Sequence, residues 1–239
     1  MNINFKKILS NGVTITSSGT TGDPKKIFRS PKNLAASIKI ALESQEITKK
    51  SSIYTVTRTT HAGGLLLQTL PAYTLGCEIK IETFNPYTFL REFKNFTHTF
   101  LAPAQMTALM NTKDFKNADL TGKRILGGSD PVSWDMIEAF VSKGAIVQPN
   151  WGMSEIGPCT INSVFKTLED VELIKKHNNN ETILGNIFWC DWKIENGELF
   201  VKSDMCVYEG WFNTRDQVSA TYSIDTGVVL NYKGRISNV

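Results

Sequence analysis

The chain has 239 residues, of which 41% are hydrophobic and 21% are charged, and this length excludes a small domain that needs disulfides or a metal to fold. Its 26 basic and 23 acidic residues are mixed along the whole chain and give a net charge of +3, which argues against a nucleic-acid-binding arm or a polybasic membrane anchor. The four cysteines lie far apart without paired spacing, so we expect neither a zinc cage nor a disulfide framework, and a reduced, cytoplasmic protein. The start of the chain does not resemble a secretory signal, and we expect no membrane span.

Apolar runs alternate between strand and helix patterns over the first two thirds of the chain. Strands are predicted at residues 13–16, 52–57, 77–82, 98–103, 124–128 and 145–148. Helices are predicted between them at residues 33–47, 61–76, 89–96, 104–111 and 134–143, the second of them broken near Pro71. This alternation predicts an α/β fold with a largely parallel sheet and helices on both faces, in which ligands bind beyond the carboxyl ends of the strands.

The pattern changes near residue 160. Two β-type runs surround Asn196-Gly197, a strong hairpin signal, and residues 228–234 form another predicted strand. We therefore predict an α/β nucleotide-binding subdomain over residues 1–160, with its sheet and helices between about 14 and 157, and a smaller β-rich subdomain over residues 161–239.

A loop rich in glycine and hydroxyl residues, TSSGTTGDPKK, separates the first strand from the first helix in this pattern. Its backbone N–H groups and hydroxyls could surround phosphate oxygens, Gly19 and Gly22 would allow close approach, and Lys25 could reach the outer phosphates. The hydroxyl residues are Thr16, Ser17, Ser18, Thr20 and Thr21. The spacing differs from a Walker A loop. Taken alone, such a cluster of serine, threonine and glycine is more often a polar surface turn than a binding site.

From Ser18 to Lys25 the loop resembles, without a gap, the phosphate-binding motif of the acyl-adenylate-forming superfamily, Ser-Gly-Thr-Thr-Gly-x-Pro-Lys. This superfamily includes AMP-binding acyl-CoA synthetases, firefly luciferases and peptide-synthetase adenylation domains. The resemblance implies binding of ATP or AMP and Mg²⁺. It also implies further motifs in a fixed order.

Two of these motifs precede residue 130. The segment RTTHAGGL is similar to the family's histidine-glycine segment, which implies that His61 lines the acyl pocket beside Gly63 and Gly64. A lone histidine at the start of a helix more often makes only a local bond. The segment RILGGSDPVS resembles the glycine-glycine segment that packs along adenine, with Asp130 as an extra residue. Its candidate base-binding residues are Gly127, Gly128 and Ser129.

The segment NWGMSEIGP resembles the family's aromatic-Gly-x-[Thr/Ser]-Glu motif. The resemblance implies that Trp151 stacks on adenine with Gly152 and Met153 beside it, that Ser154 bonds a phosphate, and that Glu155 holds Mg²⁺. A glutamate oxygen suits this hard cation. Trp151 stands where the family usually has tyrosine.

Two motifs near the end of the chain complete the resemblance. In GWFNTRD, Asp216 matches the family aspartate that holds the ribose hydroxyls, and Arg215 replaces the family glycine before it. In YKGRISN, Arg235 matches the arginine that contacts ribose or the α-phosphate, and Asn238 lies near the place of the family's hinge residue.

The resemblance implies a ligase that activates a carboxylate as acyl-AMP for transfer to CoA. The motifs look most similar to the branch of o-succinylbenzoate and of aryl or acyl CoA ligases. The resemblance implies that the chain is shorter than the family at both ends: we expect no counterpart of the N-terminal subdomain before the phosphate loop, and none of the C-terminal domain that carries a lysine for adenylation. Three expectations therefore stay open: slow adenylation, a separate partner protein that supplies the lysine, or a module that binds nucleotide or acyl-AMP without useful turnover.

Overall fold

The computed structural model describes residues 3–16 and 25–236. Within these ranges the helices are α1 Phe5–Asn11, α2 Pro31–Ser44, α3 Ala62–Leu65, α4 Thr69–Leu75, α5 Pro86–Phe93, α6 Pro103–Met110, α7 Lys113–Lys116, α8 Trp134–Val141 and α9 Leu168–His177. The strands are β1 Val13–Thr16, β2 Lys26–Arg29, β3 Ser52–Thr55, β4 Glu78–Ile81, β5 His98–Leu101, β6 Arg124–Gly128, β7 Ile146–Met153, β8 Gly157–Asn162, β9 Ile183–Gly185, β10 Ile187–Phe188, β11 Asp191–Glu195, β12 Glu198–Lys202, β13 Phe212–Ser223 and β14 Gly227–Arg235.

A seven-stranded sheet in the order β10-β8-β7-β6-β5-β3-β4 forms the centre of the fold. The five strands from β7 to β4 are parallel, and β8 and β10 are added antiparallel at one edge. This confirms the predicted α/β class with a largely parallel sheet.

Helices cover both faces of this sheet. Since successive side chains of a strand point to opposite faces, each central strand contributes residues to two separate cores. On β5, Leu101 packs into the large core formed with α5, α6 and α8, whereas Phe100 packs with Ala41 and Leu67 on the other face. All residues of β3, β5 and β6 are buried, as expected for strands covered on both sides.

A five-stranded antiparallel sheet in the order β11-β12-β13-β14-β9 packs beside the first. The predicted hairpin is confirmed: β11 and β12 pair across Asn196 and Gly197, whose φ angles are 51° and 79°. Two consecutive positive φ angles match the Asn-Gly turn that suits the twist of a hairpin. The proposed boundary between subdomains stays a prediction.

Several local features differ from the predicted elements. Helices α1 and α7 and strand β2 were not predicted, and β1 pairs antiparallel with β2 in a separate two-stranded sheet. The break in the second predicted helix lies between α3 and α4, at residues 66–68, and Pro71 lies inside the first turn of α4, where its missing N–H is not needed. Helix α9 falls in the segment that we predicted to be β-rich. Its N-terminus has a capping box in which Thr167 accepts from the backbone N–H of Asp170, a recognisable start signal.

None of the helices in the described part of the chain is long and apolar enough to cross a membrane.

Candidate nucleotide site

A cavity of about 310 Å³ lies between the two sheets, at the carboxyl ends of β6 and β7. Its volume is at the lower end of the range for small-molecule pockets. The wall from the parallel sheet consists of residues 129–132 and 149–153. The opposite wall, from the antiparallel sheet, consists of Ile183, Leu184, Asp216, Tyr232 and Arg235. The cavity therefore lies beyond the carboxyl ends of parallel strands, where open α/β sheets bind ligands.

Asp216 connects the two walls of the cavity. The indole Nε1–H of Trp151 donates to its Oδ2 atom at 2.9 Å, and Nε of Arg235 pairs with its Oδ1 atom at 3.0 Å. The Asp216 backbone N–H donates to the hydroxyl of Thr214. Asp216 is only 3% exposed. Three of the predicted site residues, from three separate sequence segments, are thus in direct contact.

The pKa of the Asp216 carboxyl is raised above its usual value because burial disfavours the charged form. The positive charge of Arg235 and the hydrogen bond from Trp151 oppose this increase. Both contacts therefore stabilise the ionised carboxylate. Each carboxylate oxygen keeps one further lone-pair direction, so the group can still accept a hydrogen bond from a ligand hydroxyl.

Arg235 reaches Asp216 because the two residues are direct partners across β13 and β14. Its Nη2 atom also lies 3.2 Å from Sδ of Met153 and 3.3 Å from the carbonyl oxygen of Thr214. The guanidinium is therefore held between the end of β7 and the start of β13, on the cavity wall.

Ser129 follows β6 and lines the cavity with a φ angle of 75°. Asp130 lines the same wall. Gly127 and Gly128 lie in β6 itself, and their lack of a side chain allows close packing: a Cβ atom on Gly128 would lie 2.6 Å from the carbonyl oxygen of Asn150. Gly128 thus allows β6 and β7 to approach closely, whereas Gly127 packs against Val132 and Met106. Ser129 is the member of this predicted group that lines the cavity.

The turn between β7 and β8 contains Ser154 and Glu155, directly after the last cavity residue of β7. The carbonyl oxygen of Ser154 accepts from Arg29, and that of Glu155 accepts from the backbone N–H of Val207 at 2.9 Å. Gly152, in the same motif, is required by close approach, since a Cβ atom there would overlap the carbonyl oxygen of Gly157. Hydrogen bonds to the carbonyl groups of Ser154 and Glu155, together with the close approach of Gly152 to Gly157, therefore fix the backbone of the turn.

Mg²⁺ has one candidate ligand in this turn, Glu155. Among the described residues no group of three or more acidic, histidine or cysteine side chains could hold a metal ion. Mg²⁺ in nucleotide sites is usually held by one or two carboxylates together with substrate phosphates and water. A single glutamate beside the cavity fits this donor set.

His61 lies outside the cavity lining, at the end of β1. Its Nδ1 atom is 2.9 Å from the carbonyl oxygen of Thr16, and the Thr16 backbone N–H donates to the carbonyl of Thr60. The neighbouring Gly63 and Gly64 pack closely against Phe100 and Arg58. The role of His61 in an acyl pocket stays a prediction.

The phosphate loop can be placed only by its flanks. Thr16 ends β1, Lys25 is exposed, and β1 pairs with β2 so that Thr16 lies opposite Lys26. The predicted residues Ser17, Ser18, Gly19, Thr20, Thr21 and Gly22, and Asn238, lie outside the described residues.

Sequence reasoning missed several cavity residues. Tyr232 lies three positions before Arg235, so strict alternation along β14 would place it on the opposite face. It lines the cavity together with Arg235, and the register shift between Gln217 and Val218, opposite Tyr232 and Gly234, interrupts that alternation. Ile183 and Leu184 belong to no motif. They reach the cavity because β9 joins the antiparallel sheet next to β14. Arg29 does not line the cavity but contacts the turn after β7; it follows Ile27 and Phe28 in β2 and belongs to no motif.

Residues 13–205 match the sequence profile of the family described as AMP-binding enzyme. The chain belongs to this family. The match covers the loop that precedes β2, the β6 segment and the Ser154–Glu155 turn, and it confirms the resemblance seen in the motifs.

Curated relatives are about a quarter identical to this chain over the stretches that align. An acyl-CoA synthetase, FUM10, of Gibberella moniliformis is 27% identical over 165 residues, which are 67% of this chain and 30% of that protein. The medium/long-chain-fatty-acid–CoA ligase FadD8 of Mycobacterium tuberculosis is 26% identical over 224 residues, 88% of this chain and 38% of that protein. The chain thus spans between a quarter and two fifths of the length of such relatives.

Solved structures of the same fold cover almost all of the chain. The o-succinylbenzoate coenzyme A synthetase of Bacillus subtilis, in complex with ATP and magnesium ion, matches with a TM-score of 0.75 at 19% identity, over 93% of this chain and 49% of that one. The N-terminal domain of FACL13 from Mycobacterium tuberculosis matches with a TM-score of 0.74 at 15% identity, over 93% of this chain and 60% of that one. These matches show that this chain has the fold of the N-terminal domain of adenylate-forming enzymes.

Proposed function

We propose that the chain binds ATP with Mg²⁺ in the cavity between its two sheets and activates a carboxylate as acyl-AMP, for transfer to CoA. One observation carries this proposal: an aromatic ring, a buried carboxylate and a guanidinium, Trp151, Asp216 and Arg235, converge on one cavity at the carboxyl ends of parallel strands. Membership of the AMP-binding enzyme family supports the reaction class.

Each side chain would make a distinct contribution. The face of Trp151 stacks on adenine beside Gly152 and Ser129. Asp216 accepts from the ribose hydroxyls through its remaining lone pairs, and Arg235 contacts the ribose or the α-phosphate. Base stacking on an aromatic side chain contributes about 1–3 kcal/mol.

The phosphates would extend from this cavity toward the Ser154–Glu155 turn. Ser154 donates to a phosphate oxygen, and Glu155 holds Mg²⁺, which neutralises charge on the triphosphate. The loop from Thr16 to Gly22 and Lys25 surrounds the outer phosphates. A carboxylate oxygen then attacks the α-phosphorus, the bond from the α-phosphorus to the bridging oxygen breaks, and pyrophosphate leaves. The residues catalyse this step by positioning and by charge neutralisation.

Carboxylate-dependent exchange of labelled pyrophosphate into ATP tests the reaction, with a panel of fatty and aryl acids that includes o-succinylbenzoate. We expect exchange with at least one acid and its loss in Glu155→Gln. The matched control is Glu172→Gln, an exposed glutamate on α9, which should keep full exchange. A Glu155→Gln variant with unchanged exchange would remove this residue from the site.

The exchange assay together with a measurement of ATP and AMP affinity separates catalysis from binding. Measurable ATP or AMP affinity without exchange for any acid would indicate a nucleotide or acyl-AMP binding module without turnover. Exchange that appears only when a separate lysine-bearing domain is added would support a partner protein.

A further inference from the structure

Arg29, the last residue of β2, is completely buried at 0% exposure and has the largest of the fully buried side chains. Among the described residues, no carboxylate lies within 4.0 Å of its guanidinium, and its Nε atom has no hydrogen-bond partner. A buried cation is costly unless its contacts are good. The contacts of this guanidinium must therefore offset the free-energy cost of burying its charge.

The two ends of the guanidinium connect three segments of the chain. Nη1 donates to the carbonyl oxygen of Ser154 at 2.8 Å. Nη2 donates to the carbonyl oxygen of Met205 at 2.6 Å and to the hydroxyl of Ser37, on α2, at 2.9 Å. A Cβ atom on Gly157 would lie 3.3 Å from Nη2. The guanidinium thus fills the space beneath the turn from residue 154 to residue 157.

The segment around Met205 in turn holds the other side of the same turn. The backbone N–H of Val207 donates to the carbonyl oxygen of Glu155. Asn33, on α2, donates to the carbonyl oxygen of Cys206 at 2.8 Å and so anchors this segment. The carbonyl groups of both Ser154 and Glu155 are therefore fixed by a network that starts at Arg29 and Asn33.

Charge adds to this geometry. Burial lowers the pKa of Arg29 to about 10, and the negative charge of nearby Glu155 is among the influences that oppose this decrease. A planar fork with several donors can bind two carbonyl oxygens and a hydroxyl together, which a lysine ammonium on its flexible stem does less well.

We propose that Arg29 is a positioning residue for Glu155: by holding the backbone of the 154–157 turn, it sets the direction in which the Glu155 carboxylate meets Mg²⁺ and the nucleotide phosphates. This inference rests on the proposed function of the site. Groups that orient a metal ligand without touching the metal typically change metal affinity by about 10–100-fold when they are removed.

The test compares Arg29→Met and Arg29→Lys with the wild-type chain. The first readout is the Mg²⁺ concentration required for half-maximal ATP binding, measured by calorimetry. The second is amide hydrogen exchange of residues 153–158 without nucleotide. Arg124→Met is the control, because Arg124 is a second buried arginine that pairs with Glu46 and lies at the amino end of β6, opposite to the cavity.

We expect Arg29→Met to raise the required Mg²⁺ concentration by about 10-fold or more and to speed exchange in the turn. Arg29→Lys should give an intermediate effect, and Arg124→Met should change neither readout even where it lowers the melting temperature. Unchanged Mg²⁺ dependence in both Arg29 variants, with a Glu155→Gln variant that loses it, would overturn this inference alone. Mg²⁺-independent ATP binding by the wild-type chain, or no binding, would overturn the proposed function and this inference with it.

Discussion

Replacing Trp151 by phenylalanine removes the indole N–H that donates to Asp216 and keeps an aromatic face. The lost hydrogen bond is 2.9 Å long, and its acceptor is a carboxylate with 3% exposure. Because hydrogen bonds to charged groups contribute about 1.5–3 kcal/mol, we expect the free energy of unfolding at neutral pH to fall by about 2 kcal/mol. For a domain of this size, that corresponds to a decrease in melting temperature of roughly 4–8 °C.

The loss of stability caused by Trp151→Phe should increase as pH rises. The folded-state pKa of Asp216 is above its ordinary value, so the folded state binds more protons and stability decreases as pH rises from the ordinary carboxyl pKa through the folded-state pKa. Trp151→Phe removes one of the two contacts that lower this pKa and therefore extends the decrease to higher pH. The stability difference between wild type and variant should be small below the ordinary carboxyl pKa and reach its full value near neutrality.

Denaturant titrations at acidic and neutral pH measure this difference. Trp134→Phe is the matched control, because Nε1 of Trp134 donates at 2.9 Å to the backbone carbonyl of Glu181, which does not titrate. Its loss, about 0.5–1.5 kcal/mol for a neutral pair, should be the same at both pH values. Equal pH dependence in the two variants, or a Trp151→Phe variant as stable as wild type at neutral pH, would refute the reasoning.

Three further variants or treatments test other parts of the structure. Gly128→Ala places a Cβ atom 2.6 Å from the carbonyl oxygen of Asn150, so we expect thermal unfolding to show a loss of about 3 kcal/mol, at the upper end for overpacking, and an unchanged melting temperature would contradict the tight β6–β7 packing. Arg215 has a φ angle of 62°. Arg215→Gly should raise the free energy of unfolding, measured by denaturant titration, by up to about 1 kcal/mol, since relief of left-handed strain exceeds the entropy cost of glycine, whereas Arg215→Ala should not. Burial raises the pKa of the Cys159 thiol to about 12, so Cys159 should resist alkylation at mildly alkaline pH until the chain is unfolded, and rapid labelling of Cys159 in the native protein would contradict its burial.

The sequence allowed prediction of the elements whose patterns are local. Apolar periodicity located the parallel strands and most helices, and Asn196-Gly197 located a hairpin, because turn chemistry is set by two residues. Helix α9 was missed although Thr167 and Asp170 form a capping box, since the surrounding segment was interpreted as uniformly β-rich. Pro71 was taken as a helix break because the interior and the first turn of a helix cannot be distinguished before the boundary is known.

The candidate site was predictable only where motifs report it. Trp151, Asp216 and Arg235 were identified from separate motifs, and the structure brings them into contact. The hydrogen bond between Trp151 and Asp216 was not foreseen, because it depends on the sheet packing that places β7 beside β13. Tyr232 and Arg29 illustrate the same limit: long-range packing decides which polar side chain becomes part of a site.

Arg215 shows how a departure from the family motif can be explained by backbone geometry. The motif resemblance places a glycine at this position, and the structure has a left-handed φ angle there, which glycine adopts without strain. The Arg215 side chain is exposed. The substitution therefore changes the strain of the backbone before Asp216 and leaves the carboxylate facing Trp151 and Arg235.

A crystal structure of the chain with AMP tests the central claim most directly. The account predicts that adenine lies against the face of Trp151, beside Ser129, and that the ribose hydroxyls lie within about 3.2 Å of the Asp216 carboxylate oxygens. AMP bound elsewhere on the surface, or bound in the cavity with its ribose directed away from Asp216, would contradict the account.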